Sequence, residues 1–94
     1  MSHDPVTLSG FQQHIRERYF ASDSARGTPA TFMWLIEEVG ELATALQGDD
    51  RENMAEEFAD VIAWLSTLAN INDVDLDAAI RSKYLNNGGP TGVK

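Results

Sequence analysis

From Thr28 to Ala69 two runs of apolar residues recur at helical spacing, separated only by Gly48-Asp49-Asp50. Such a pattern leaves room for little other than an antiparallel helical hairpin. The first run is Phe32, Leu35, Ile36, Val39, Leu42, Ala43 and Leu46. The second is Met54, Phe58, Val61, Ile62, Leu65, Leu68 and Ala69. Thr28-Pro29 reads as a helix start with Thr28 as the cap, because proline loses no intrahelical bond at the first helical position. Gly48 suits the end of that helix, and Asp49 with Glu52 fits a capping box for the next. Leu8, Phe11, Ile15 and Tyr19 predict a first helix over about 8–20, capped by Thr7 or Ser9, with a loop over Ala21 to Gly27. Asn70 to Val74 reads as a turn, and Asp75 as the cap of a fourth helix bearing Leu76, Ala79 and Ile80. Asn87-Gly88-Gly89-Pro90 would end it. No segment alternates apolar and polar residues as a strand does. The expected fold is all-α: a four-helix protomer with a central antiparallel hairpin, one domain over 1–94, a helical core of about 8–87 and loose tails.

Charge narrows the possible functions. Seven Lys and Arg against fifteen Asp and Glu give a net charge of −8. A surface of that sign argues against gripping nucleic acid or an anionic membrane. The longest uncharged apolar stretch, Val61 to Asn72, is twelve residues, well short of the roughly 20 that span a bilayer. Met1-Ser2-His3-Asp4-Pro5 has neither a basic start nor an apolar signal core, so the chain reads as cytoplasmic. Without cysteine there is no disulfide or thiolate metal site. A chain this small has few ways to be stable alone, and self-association into an oligomeric helical bundle is expected.

The acidic residues are unevenly placed. Glu37, Glu38 and Glu41 lie in the middle of the second helix, and Glu57 and Asp60 in the middle of the third. At about 100° per residue, Glu38 and Glu41 fall within roughly 60° of each other, as do Glu57 and Asp60, while Glu37 lies about 40° from Glu41. Angle alone therefore leaves Glu37 in play. A single such pair is ordinarily a solvated helix face. Two pairs on the two arms of one hairpin would repel, and between Phe32 and Ile80 the only basic residue is Arg51. A hard divalent cation resolves the repulsion, because Mg²⁺ or Mn²⁺ takes oxygen ligands. Trp34 precedes Glu38 by one turn and Trp64 follows Asp60 by one turn, so each shares its helix's acidic face. Either tryptophan is a core residue or a flat surface for a base. No Glu-x-x-His pair, Gly-rich phosphate loop or Ser/His/Asp set is visible.

Glu37-Glu38-Val39-Gly40-Glu41-Leu42, followed by Glu57-Phe58-Ala59-Asp60 on the next helix, resembles the E-E-x-x-E … E-x-x-D signature of MazG-like nucleoside triphosphate pyrophosphohydrolases. The resemblance spans roughly 8–87 and is strongest from Thr28 to Leu68. It implies a homo-dimer or homo-tetramer that hydrolyses nucleoside triphosphates to monophosphate and pyrophosphate with Mg²⁺, in nucleotide pool clearance. It also implies Glu38, Glu41, Glu57 and Asp60 as metal ligands, and the preference for Glu38 over Glu37 comes from it. Glu37 then orients a water or holds a second ion, and Glu37 or Glu41 accepts a proton. Trp34 and Trp64 are the candidates for contact with the base. Lys83 and Asn87 are similar in position to the family's phosphate-contacting residues. Asn86 stands where the family has a basic residue, and Gly88-Gly89 where others often follow. Two alternatives share these features: a phosphoribosyl-ATP pyrophosphatase, which belongs to the same superfamily, and a non-catalytic acidic assembly module with a structural metal site.

Overall fold

The computed structural model describes residues 3–86 and 88–92, and these contain helices and no strand. Helix α1 covers Leu8–Arg26, α2 Thr28–Leu46, α3 Arg51–Ile71 and α4 Leu76–Ile80. A π-helical turn, Arg81–Leu85, continues α4 and is closed by the Asn86 N–H on the Arg81 carbonyl at 2.9 Å. Helices α2 and α3 form the expected hairpin, with α1 packed mainly along α3. No helix among the described residues is long and apolar enough to cross a membrane.

Helix α1 runs six residues beyond the predicted boundary. Thr7 caps its start, accepting the Gly10 N–H at 3.0 Å. Ala21 to Arg26, expected as a loop, is helical because its polar groups are spent inside the fold. Ser22 Oγ donates to the Tyr19 carbonyl (3.1 Å), and the Asp23 carboxylate accepts from Arg26 (3.1 Å) and from Thr67 on α3 (3.1 Å). The break falls on Gly27 alone, at φ 83°, a conformation that costs glycine nothing.

Four further helix ends shift by a residue or two. Gly27, not Thr28, occupies the cap of α2; Thr28 lies within the helix, and its hydroxyl accepts from Asn72 Nδ2 at 3.1 Å. Gln47 ends α2, with Gly48 one residue beyond it. Asp50, not Asp49, caps α3 by accepting the Asn53 N–H at 3.0 Å. Helix α3 also continues through Asn70 to Ile71. Asp75 caps α4 as expected, accepting the Ala78 N–H at 3.2 Å.

Asn70 extends the helix because it is buried against α1. Gln12 Nε2 donates to Asn70 Oδ1 (3.0 Å) and to the Val74 carbonyl (2.7 Å). Asn70 Nδ2 donates to the Gln12 carbonyl (3.2 Å), and the Leu76 N–H donates to Gln12 Oε1 (3.0 Å). One amide thus ties α1, α3 and the start of α4 together. Gln12→Ala strands these partners and is expected to lower the unfolding free energy by about 3 kcal/mol. Urea unfolding at fixed protein concentration measures it, and a loss below about 1 kcal/mol would contradict the role given to Gln12.

Apolar burial is sparse. Among the described residues only Ile15, Leu35, Ala45 and Ala69 are buried hydrophobic residues, whereas Phe32, Ile36, Val39 and Leu46 on α2 and Phe58, Ile62 and Leu65 on α3 stay 42–52% exposed. The sequence pattern marks all seven as core-facing. The apolar face of the hairpin is broader than α1 and α4 can cover, and a wide stripe is left on the surface.

Candidate metal centre

The hairpin brings the mid-helix acids of α2 and α3 face to face. Carboxylate oxygens of Glu38, Glu41 and Glu57 all lie within 4.8 Å of one another. Glu38 and Glu57 are half-buried and Glu41 is exposed. Asp60, one turn along α3 from Glu57, is exposed and close enough to act on both buried glutamates by its charge. Glu37 is also exposed and lies outside the convergent group.

No basic side chain among the described residues pairs with this charge. The ion pairs among the described residues are Arg26–Asp23 and Arg81–Asp77, and neither includes a cluster glutamate. Oε2 of Glu38 and Oε2 of Glu57 are buried with no hydrogen-bond partner. The Glu38 carboxyl is pushed up from 4.5 to about 7, first by burial, then by hydrogen bonding to and repulsion from Glu41, with Asp60 and Glu57 adding to it. Glu57 is raised for similar reasons: burial first, then the charges of Glu41 and Asp60. Two buried, partnerless carboxylate oxygens beside a third carboxylate fit a hard divalent cation. The donor set is all oxygen, as Mg²⁺ and Mn²⁺ prefer.

A pH dependence follows. Because the folded Glu38 holds its proton up to about pH 7, against 4.5 when unshifted, the folded state binds more protons in that window. Its contribution to stability is present below pH 4.5 and is lost as the pH rises through 7. In chelator, the thermal midpoint of the wild type relative to Glu38→Gln is expected to fall across this range. A flat difference would contradict the shift.

Trp34 and Trp64 meet across the hairpin, stacked with centroids 6.0 Å apart and planes 12° from parallel. Trp34 stays 46% exposed. Lys83 is exposed on the π-helical turn, its ammonium 5.5 Å from the Tyr84 ring, and makes no ion pair among the described residues. Asn87 lies outside the described residues. The sequence reading overlooked Asp23 and Arg26. The Arg26 guanidinium sits 5.0 Å from the Trp64 ring and donates to Asp23 and Thr31. The available signal was their i, i+3 spacing in register with α1, obscured when the segment was read as a loop.

No curated protein matches the chain closely enough to count as a relative. Residues 27–84 match the family model for the MazG nucleotide pyrophosphohydrolase domain, a span that takes in α2, α3 and α4 with every acid of the cluster. This match covers more than half of the sequence and coincides with the helices that build the carboxylate centre, and so the chain belongs to the MazG nucleotide pyrophosphohydrolase family.

Proposed function

We propose that this protein hydrolyses nucleoside triphosphates to nucleoside monophosphate and pyrophosphate with Mg²⁺, for which Mn²⁺ substitutes, in clearance of the cytoplasmic nucleotide pool. The observation that carries the reading is the pair of buried, partnerless oxygens on Glu38 and Glu57, beside the Glu41 carboxylate. In this reading Glu38, Glu41, Glu57 and Asp60 hold the cation. When bound, Mg²⁺ offsets the charge of the phosphate oxygens and lowers the pKa of a water.

The remaining work falls to side chains. Glu41 is exposed at the cluster's edge, and Glu37 lies one turn away on the same helix, also exposed. A carboxylate in either place can take the proton released as water attacks a phosphorus. The stacked pair of Trp34 and Trp64 offers a flat aromatic surface to the base. Lys83 and Asn87 are the proposed phosphate contacts; the Lys83 ammonium is exposed and unpaired among the described residues. The protein acts as a homo-dimer or homo-tetramer, an arrangement supported by the apolar stripe left uncovered on α2 and α3.

Phosphorus NMR of a triphosphate incubated with the protein and Mg²⁺ tests the reading. Monophosphate and pyrophosphate in equal amounts, abolished by chelator, are expected. Diphosphate and inorganic phosphate, or no turnover across the common nucleotides, would overturn it.

A further inference from the structure

Gly40 lies in the interior of α2, exposed, and a Cβ placed on it would meet nothing within 4 Å. Glycine weakens a helix interior relative to alanine, and no neighbour among the described residues asks for the missing side chain. Its neighbours on the helix surface are Ile36 and Ala43, one turn before and one turn after, both exposed. Ile36 belongs to the uncovered apolar stripe, so Gly40 lies on the border of that stripe.

The stripe runs along α2 from Phe32 to Leu46, about 21 Å at 1.5 Å per residue. That length fits another helix rather than a small molecule. The two ends of the hairpin differ in charge. Asp49, Asp50, Glu52 and Glu56 crowd its tip around Arg51 alone. At the other end acids and cations are mixed. Asp77 pairs with Arg81, Asp73 and Asp75 line one cavity with Arg16, and the exposed Lys83 makes no ion pair among the described residues. Two copies with their tips together would set the four tip acids against the same four. Turned end for end, each acidic tip meets the end that carries cations. A face that is apolar along its length and complementary to itself when reversed fits a second copy of this chain, because a two-fold contact uses the same patch twice.

We propose that a second copy lies along the hairpin face end for end, with its helix coming closest at Gly40. The proposal rests on the self-association in the reading above and not on hydrolysis. Where the facing residue has no side chain, two helix axes approach to about 8 Å, the short end of the usual range. Ile36, Val39 and Ala43 then close around the contact. A larger side chain at Gly40 holds the helices apart and loosens the apolar packing on both sides of it.

The test sets association against the stability of the separate chain. Gly40→Leu keeps a good helix former and is expected to weaken self-association in sedimentation equilibrium by about 100-fold or more, because the overpacking occurs in both copies. Gly40→Ala, made together with Ile36→Asp and Ile62→Asp to keep the chains apart, is expected to raise the thermal midpoint, since alanine favours the helix and its Cβ has open space. The chain has no cysteine, so introduced thiols report orientation cleanly. A bifunctional maleimide is expected to join Asp49→Cys to Ser82→Cys in a mixture of the two, and not to join Asp49→Cys to itself. Wild-type affinity in Gly40→Leu would overturn the proposal. So would a lower midpoint in Gly40→Ala, which would give the glycine to the chain's own fold, or joining of Asp49→Cys to itself in place of the mixed product. A wild type that sediments as single chains at every concentration would sink the oligomer of the reading above as well. An oligomer indifferent to Gly40→Leu would sink this contact alone, and neither outcome depends on turnover.

Discussion

Glu57→Gln is expected to lower triphosphate turnover by about 100-fold or more while raising the thermal midpoint of the metal-free protein. The two effects share a cause. Glu57 is half-buried, has one oxygen with no partner, and stands within 4.8 Å of the Glu38 and Glu41 oxygens. The amide has nearly the same shape, carries no charge, and can donate to either neighbouring carboxylate. It therefore removes one of the like charges beside Glu38, whose carboxyl is raised to about 7 chiefly by burial and by Glu41, and it removes the negative charge that a divalent cation needs. Asp60→Asn should impair turnover with a smaller gain in stability, because Asp60 is exposed. A Glu57→Gln protein that keeps wild-type turnover, or that is less stable in chelator, would contradict the assignment. Activity measured beside differential scanning calorimetry reads both.

The second large effect concerns the surface. Ile36→Asp combined with Ile62→Asp is expected to give single chains in sedimentation equilibrium, against the dimer or tetramer proposed for the wild type. Ile36 is 50% and Ile62 43% exposed, one on each arm of the hairpin, beside Phe32, Val39, Phe58 and Leu65. Fully burying an aliphatic or Phe side chain contributes about 1.5–3 kcal/mol, so a second copy covering this stripe gains what the sparse core of one chain lacks. Two carboxylates placed in such a contact cost several kcal/mol unless paired, enough to weaken association at least 100-fold. Equal masses for wild type and variant would show that this stripe is not the contact.

Parts of this molecule can be read directly from residue spacing, and the parts that cannot share a physical reason. The hairpin follows from two apolar periods and a short break. The caps at Thr7 and Asp75 follow from local chemistry. Helical angle puts the acids of each helix on one face, but leaves Glu37 and Glu38 open as the partner of Glu41; the choice of Glu38 comes from the family resemblance. Ala21 to Arg26 and Asn70 misled because their polarity is satisfied far along the chain: Asp23 by Thr67, Asn70 by Gln12. A polar run with no distant partner is a loop; the same run with one is a helix. Caps shifted by a residue because Gly27 and Asp50 compete with equally suitable neighbours. The exposed stripe was invisible for a different reason. Apolar spacing says that a face wants covering, and nothing in one chain says whether its own helices are wide enough to do it. In the site, angle brings Glu37 as near to Glu41 as Glu38 is, and only the folded hairpin separates the half-buried Glu38 from the exposed Glu37.

The central claim is that the α2–α3 carboxylates form a cation centre, and the most direct test is equilibrium binding of Mn²⁺, followed by the electron paramagnetic resonance signal of the free ion. The wild type is expected to deplete that signal at stoichiometric protein. The Glu38→Gln, Glu57→Gln double variant, with its helical content intact by circular dichroism, is expected to leave the signal unchanged. Equal depletion by both proteins would place the cation elsewhere and contradict the account.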